Sequence, residues 1–492
     1  MFDDLIIFEI ANNHQGSLNH GYRIIQKYSD LGNKYNLNFA IKLQYRDISS
    51  FISKKELKQK KNKHVDRFLS TALSREIFNK FCVKIKNNNA KLIITPFDEQ
   101  SATNAYKDGV DIFKIASCSA KDWPLIEKIA SFKKPVIFST GGQDIRDIDN
   151  LYSFFSHKKI NFSILHCVSL YPTKFEDGQL SLIKKLKKRY SDIKIGYSGH
   201  EDPNDFLTAS VAAGCGAEIY ERHIGIETNK YKLNAYSMNL NQTEQWLQTL
   251  INSKKLIGNN ETKVIKKEEL KSISDLQRGV FLNKKINKGQ KIKQDDIYFA
   301  FPLEKNQVSS GDFTDNTKAS RNYHPHDPLT EKIKIKHSKS IRGIIHTYKG
   351  MFAEANIVVG NYESIELSHH YGIKKINDTG CILITIINKH YCKKLVCVLP
   401  GQKHPTHKHF TKNESFHILS GKLDLVLNKI DFKLNKGDTI DIDRGSWHSF
   451  TSEKGCIFEE ISSRYKVGDS EYLDKKINTL DPYERKTKIE QW

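Results

Sequence analysis

No run in this chain approaches the ~18 uninterrupted apolar residues that a membrane-spanning helix needs, and apolar residues make up 38% of the whole. A transmembrane protein is excluded. No CxxC pair occurs among the eight cysteines, Cys82, Cys118, Cys167, Cys215, Cys381, Cys392, Cys397 and Cys456, which sit in apolar or strand-like contexts. That usage suits reduced, buried thiols and argues against a disulfide framework. The N-terminal MFDDLIIFEIANNH has two acids and no basic stretch ahead of its apolar run, so a secretory signal is not expected and the expected compartment is the cytoplasm. Acidic residues are in deficit, 57 against 78 Lys+Arg, for a net charge of +21. Such a surplus suits nucleic acid, a membrane surface or an anionic substrate. The densest basic clusters, 54–67 and 184–189, lack interleaved aromatics or glycine, and no nucleic-acid module signature occurs. Neither nucleic acid nor membrane is expected as a partner.

What is present is repetition. With 492 residues the chain has room for two to four domains, and its first 260 alternate short β-branched strands with amphipathic helical stretches. The strand candidates are 5–11, 39–44, 91–97, 112–117, 135–140, 162–167, 194–199 and 218–223. Eight such units over about 250 residues match the count and size of a (β/α)8 TIM barrel. A doubly wound sheet would want a glycine-rich phosphate turn after the first strand, where this chain has ANNHQG. The expected organisation is a barrel over 1–260, a linker and small β-rich domain over 261–340, an all-β barrel or sandwich over 341–474, and a polar tail over 475–492 without an assignable role.

Barrel chemistry gathers at the C-terminal ends of the strands. Those ends carry Asn12, Asn13 and His14; Lys42 and Gln44; Thr95; Lys114 and Ser117; Ser139 and Thr140; His166, Ser169 and Tyr171; Ser198 and His200; Glu221 and His223. Two lysines among several hydroxyls suit a ligand bearing phosphate and carboxylate, because each anionic oxygen wants a charge-assisted donor. His200 and His223, closing strands seven and eight, are placed to meet at one divalent metal.

The segments EIANNHQG, IKLQ, TPFDEQSATNAYKDGVDIFKIAS, KPVIFSTGG, LHCVSLYPT, GYSGHED and ERHIG, in this order, resemble the sialic acid synthase family. RGVFLNKKINKGQKIKQDDI resembles the antifreeze-like (SAF) domain that follows the barrel in those enzymes. The resemblance implies condensation of phosphoenolpyruvate with an N-acyl amino-sugar or related aldose to give a sialic-acid-like acid. A metal on His200 and His223, Mn2+ or Mg2+, would polarise the sugar aldehyde; the enolpyruvate carbon attacks it, water adds to the pyruvyl carbon and phosphate leaves. By resemblance Lys42, Lys114, Thr95, Ser117, Ser139 and Ser198 would hold phosphoenolpyruvate, with Ser169 where the family usually has asparagine. With the strand-end residues added, the catalytic candidates are Lys42, Gln44, Lys114 and Tyr171, and the substrate-binding candidates Asn13, Thr95, Ser117, Ser139, Ser169 and Ser198. It also implies a homodimer with exchanged antifreeze-like domains. The sugar half departs from the family pattern at Gln15, Ser119, Gly199 and Phe301, where acids or an arginine are usual. Serine cannot replace a carboxylate in proton transfer near neutral pH, so a different sugar is expected.

The last third holds a second chemical motif. Gly401-x5-His407-x-His409-x4-Glu414-x6-Gly421 matches the first cupin motif. Gly437-x5-Asp443-x-Gly445-x2-His448 follows as the second, with Asp443 in place of the usual proline and Ser452 in place of the terminal asparagine. Two histidines at i and i+2 on a strand point the same way, and a glutamate and third histidine from nearby strands complete a metal site. The metal is left open among Fe2+, Mn2+, Ni2+ and Zn2+. The cupin's role is left between a sugar isomerase or epimerase, a ligand sensor and a structural site, and a third reading makes the whole chain a non-catalytic carbohydrate-binding or regulatory protein. His369 and His370 are read as structural.

Overall fold

Eight segments of four to seven residues form the first sheet: β1 (Leu5–Glu9), β2 (Phe39–Tyr45), β3 (Lys91–Pro96), β4 (Ile112–Ile115), β5 (Val136–Ser139), β6 (Phe162–Cys167), β7 (Lys194–Gly199) and β8 (Ile219–His223). In the computed structural model, which describes residues 1–59, 62, 64–258, 263–333, 337–360 and 364–489, each strand pairs in parallel with the next and β8 closes on β1. The expected TIM barrel is therefore present. The strands are buried on both faces because helices such as Leu18–Lys34, Arg75–Asn87 and Trp123–Ser131 cover the outside. Ser17 and Ser74 cap the first two by accepting from the His20 and Ile77 amides, and Asp122 caps the third.

The barrel interior changes character along its axis. Leu5, Ile7, Ala40, Ile93, Ile112, Ile137, Leu165 and Ile219 fill the lower layer. Two residues further along the strands, on the same inward face, stand Glu9, Lys42, Thr95, Lys114, Ser139, Cys167 and Glu221, all buried. The period of two thus carries each strand from an apolar floor to a polar ceiling.

The chain divides into two compact units, residues 1–263 and 264–492. In the second unit, β9 (Gly279–Leu282) pairs antiparallel with β11 (Ile297–Ala300), and β10 (Lys291–Ile292) with β12 (Thr317–Lys318). Val280, Leu282, Ile286, Ile292, Val308, Tyr323 and Leu329 form their own apolar cluster. Gly289, between β9 and β10, has φ +88°.

The remaining strands form an antiparallel, all-β cupin fold: β13 (Ser364–Ser368), β14 (Cys381–Asn388), β15 (Tyr391–Val398), β16 (Lys403–His409), β17 (Glu414–Leu427), β18 (Ile430–Asn435), β19 (Thr439–Ile442), β20 (His448–Thr451), β21 (Cys456–Ser463), β22 (Ser470–Tyr472) and β23 (Lys486–Ile489). The order β22-β16-β20-β17-β21-β15-β14-β13-β23 runs through one sheet, with β18 and β19 on β17. The segment read as a polar tail is woven into this sheet. Its β23 pairs with β13, and the Arg485 carbonyl accepts from the His369 and His370 amides. An alternation of Lys, Thr and Ile too short to stand out in sequence is enough for an edge strand once β13 offers a template.

All eight cysteines are free thiols, six of them buried. Among the described residues no helix is long and apolar enough to cross a membrane. Lys60, Lys61 and Lys63 of the basic cluster lie outside the described residues.

Candidate functional sites

The register explains the barrel's polar ceiling. Glu9 pairs with Lys42 on one side and His223 on the other, and Ser198 pairs with Glu221. Lys42 is thereby clamped between two carboxylates, Glu9 at 2.5 Å and Glu221 at 2.7 Å. Burial pulls its ammonium down to about 8 even though Glu221 opposes the shift. Lys114 is placed differently. Its Nζ donates to the Ser139 hydroxyl at 2.5 Å and stands 3.9 Å from Glu221. The two lysines that look equivalent in sequence therefore differ: Lys42 is neutralised inside the fold, while Lys114 has no carboxylate at hydrogen-bond distance.

Around Lys114 the hydroxyls converge. The Gly141 amide donates to Ser117 Oγ at 3.0 Å, and a Cβ at 141 would fall on the hydroxyls of Ser169 and Ser117. Glycine at 141 is what lets the two serines approach the same backbone. Thr95 Oγ1 is buried without a hydrogen-bond partner. Ser198 donates to Glu221 at 2.9 Å.

The metal candidates lie beside this group. His200 and His223 have ring centroids 5.3 Å apart, with Tyr171 4.4 Å from His200 and Tyr236 5.1 Å from His223. His200 Nδ1 faces the Val168 carbonyl at 3.1 Å, which fixes the proton there and leaves Nε2 as a lone pair. Burial lowers His200 to about 4 and His223 well below the usual range, so both are neutral at pH 7. His223 Nδ1 and Glu221 Oε2 are buried and unpartnered. Two neutral imidazoles with an orphaned nitrogen fit a divalent cation.

Other predicted residues are placed elsewhere. Asn13 spends its amide hydrogens on the Ile224 carbonyl (2.8 Å) and Ser237 (3.1 Å), tying β1 to the loop after β8. Gln44 accepts from Arg46 at 3.0 Å and lines a small pocket with Asn12, His14 and Thr71. Gln15 is half-buried with φ +53°, Ser119 is buried in the turn after β4, and Phe301 is 60% exposed in the second unit. At Gly199 a Cβ would collide with the Glu201 carboxylate. Residue 199 therefore projects into a space that Glu201 already fills.

Glu201 pairs with Arg222, which is 1% exposed, and accepts from Tyr197 at 3.1 Å. Removing one partner of such a pair leaves a buried charge uncompensated. Glu201→Ala is expected to cost the barrel about 3–5 kcal/mol, read as a lowered urea midpoint, and Glu201→Ala with Arg222→Met to recover part of it. An unchanged midpoint in the single variant would contradict this.

Two residues of the ceiling were not singled out by the motifs. Glu9 reads as part of an apolar strand, and Glu221 as a strand end without a role. The available signal was periodicity: each acid sits at the inward position, one before a polar loop and one two residues before His223.

The cupin cluster builds on adjacent strands. His407 on β16 is in register with His448 on β20, and His409 follows on the same face. Nitrogens of His407, His409 and His448 lie within 4.8 Å of one another. Glu414 adds a carboxylate 3.4 Å from both His409 Nε2 and His448 Nε2. His448 Nε2 and Glu414 Oε2 are buried with no hydrogen-bond partner, and this facing pair of orphaned atoms fits a metal ion. Lys412, itself bound to Glu460 at 2.8 Å, holds the other oxygen of Glu414. His404 joins the cavity because the ladder slips between it and His407, turning both inward at a spacing that a regular strand would split. His370 Nε2 lies 3.1 Å from His404 Nε2, so the residue read as structural packs against the cavity's imidazoles.

Residues 38–262 match the family model described as the NeuB family, and residues 394–458 match the cupin domain model. An uncharacterized protein of Methanocaldococcus jannaschii is 30% identical over 299 residues, covering 60% of this chain and 84% of that protein. The N,N'-diacetyllegionaminic acid synthase of Campylobacter jejuni is 28% identical over 298 residues, covering 58% and 86%. The solved structure of a protein assigned as spore coat polysaccharide biosynthesis protein E from Chromobacterium violaceum superposes with a TM-score of 0.62 at 36% identity, covering 66% of this chain and 97% of that one.

Proposed function

Because the chain belongs to the NeuB family and carries a cupin domain beyond its barrel, we propose that the barrel condenses phosphoenolpyruvate with an N-acyl amino-sugar or related aldose. The product is a sialic-acid-like, nonulosonic acid, and phosphate is released. Relatives that are synthases of N,N'-diacetyllegionaminic acid, pseudaminic acid and N-acetylneuraminate 9-phosphate support the class of reaction. One observation carries it: Lys114 donates to Ser139 with no carboxylate at hydrogen-bond distance, at the strand ends where Ser117, Ser169 and Gly141 meet.

In this reading Lys114 and the serines hold the anionic end of phosphoenolpyruvate, each oxygen taking a charge-assisted or hydroxyl donor. Lys42 holds Glu9 and Glu221 in place, a positioning role that follows from its clamp. A divalent cation, Mn2+ or Mg2+, on His200 and His223 would polarise the sugar aldehyde. Tyr171 and Tyr236 wall the imidazoles and orient whatever sugar enters. The antifreeze-like reading of residues 261–340, the exchanged homodimer and the cytoplasmic location belong to the same proposal.

The test is phosphate release from phosphoenolpyruvate, assayed with a panel of N-acyl mannosamines and related aldoses. Release is expected only with sugar and divalent cation together, and to stop on chelation. No release with any member of the panel, cation present, would refute the synthase reading.

A second reading, a metal-centred sugar isomerase or epimerase in the cupin, draws on the orphaned atoms of His448 and Glu414.

A further inference from the structure

The cupin's three-histidine cluster opens into a cavity whose walls carry four cations, Lys394, Lys412, Arg485 and Lys486. Three of them are answered within the fold. Glu460 takes Lys394 at 3.5 Å and Lys412 at 2.8 Å, and Glu366 takes Lys486 at 3.0 Å. Arg485 is answered by no carboxylate among the described residues. Its Nε and Nη2 both donate to one carbonyl, that of Leu480, at 3.2 and 2.7 Å, and its side chain is held over the Tyr472 ring at 5.3 Å.

Arg485 is 9% exposed. A guanidinium buried to that degree is costly unless a counter-charge meets it, and it cannot shed its proton to escape the cost. Arg485 therefore brings to the cavity a positive charge that no carboxylate among the described residues meets, and a divalent ion on the histidines would add two more. Arg485 also has a defined position. Tyr472 stacks on His407 with centroids 5.5 Å apart, so a single aromatic ring separates the guanidinium from the metal cluster. Ser368, Ser470 and Tyr465 supply hydroxyls along the same wall.

We propose that this cavity binds an anionic monosaccharide, its acidic group on Arg485 and its ring hydroxyls toward the three-histidine cluster. Arginine suits the task because its planar fork receives a carboxylate or phosphate in two parallel hydrogen bonds. The segment that supplies it, residues 481–489, lies outside the cupin motifs and closes the cavity by pairing β23 with β13. The assignment does not depend on the barrel's reaction, since no barrel residue enters it.

The test is calorimetric titration of the full-length, Mn2+-replete protein carrying Lys114→Met, which removes the anion-binding lysine of the barrel. N-acetylneuraminic acid, N-acetylglucosamine 6-phosphate, N-acetylglucosamine and inorganic phosphate are the probes. At least one of the two acidic sugars is expected to bind at least ten-fold tighter than the neutral one, and which of the two wins separates carboxylate from phosphate as the anion. Arg485→Gln is expected to remove that preference and Arg485→Lys to keep most of it. Equal binding of neutral and acidic sugars, binding of inorganic phosphate alone, or an undiminished preference in a folded Arg485→Gln variant would each overturn the proposal. If Arg485→Gln fails to fold, the comparison of probes on the Arg485-containing protein decides.

Discussion

Lys114→Ala is expected to reduce phosphate release from phosphoenolpyruvate by about 10²–10³-fold or more, the scale seen when one preorganised charge-stabilising donor is removed, while the chain still folds. The expectation rests on a contrast between the barrel's two buried lysines. Lys114 is held by the Ser139 hydroxyl, 3.9 Å from Glu221. Deleting it leaves Glu221 still paired with Lys42 at 2.7 Å and donated to by Ser198. Lys42→Ala should behave otherwise, because it strands Glu9 and Glu221 together in the interior, and the cost of unpaired buried charge is about 3–5 kcal/mol. The measurement is steady-state release of phosphate alongside urea unfolding for both variants. Full activity in Lys114→Ala, or a larger loss of stability from Lys114→Ala than from Lys42→Ala, would reverse the assignment of roles.

Acidification is expected to unfold the cupin well before the rest of its charge would. Five imidazoles, His370, His404, His407, His409 and His448, line or adjoin one cavity. Burial is the leading cause that lowers all of them, His370 to about 3, His448 to about 4, His409 to about 2, and His404 and His407 well below the usual range. The folded state therefore keeps them neutral, while the unfolded chain protonates each near 6.5. Below that pH the unfolded state binds more protons, so stability rises with pH up to about 6.5 and is lost as pH falls toward 4. Each histidine contributes up to ~1.4 kcal/mol per pH unit in that window, and the five together several times that. The check is hydrogen exchange of peptides from β16 and β20 in the chelator-treated chain between pH 7 and 5. Steeply falling protection is the expected result, and protection independent of pH across that range would count against neutral imidazoles in the fold.

Much of this protein was legible in its residues. The eight strands could be placed from β-branched runs, and β6 and β7 begin and end at the residues expected. His407, His409, Glu414 and His448 could be named because the cupin ligands sit at fixed spacings within two short motifs. What was not legible has a common form. Lys42 and Lys114 look alike along the chain, and only the pairing of Glu9 with Lys42 across β1 and β2 distinguishes them. Gly199 reads as a lost acid until Glu201 is found in its space. His404 needed a slipped ladder to reach the cavity, and Arg485 needed the last strand to join β13.

By itself, the sequence determined the barrel, the cupin and the residue types at their mouths, because helical and strand periods are written locally and repeat within a few residues. Only the tertiary structure decided which buried charge is spent on holding the fold and which is left for a ligand. Charges pair through space, and their partners are chosen by strand register and barrel closure rather than by distance along the chain.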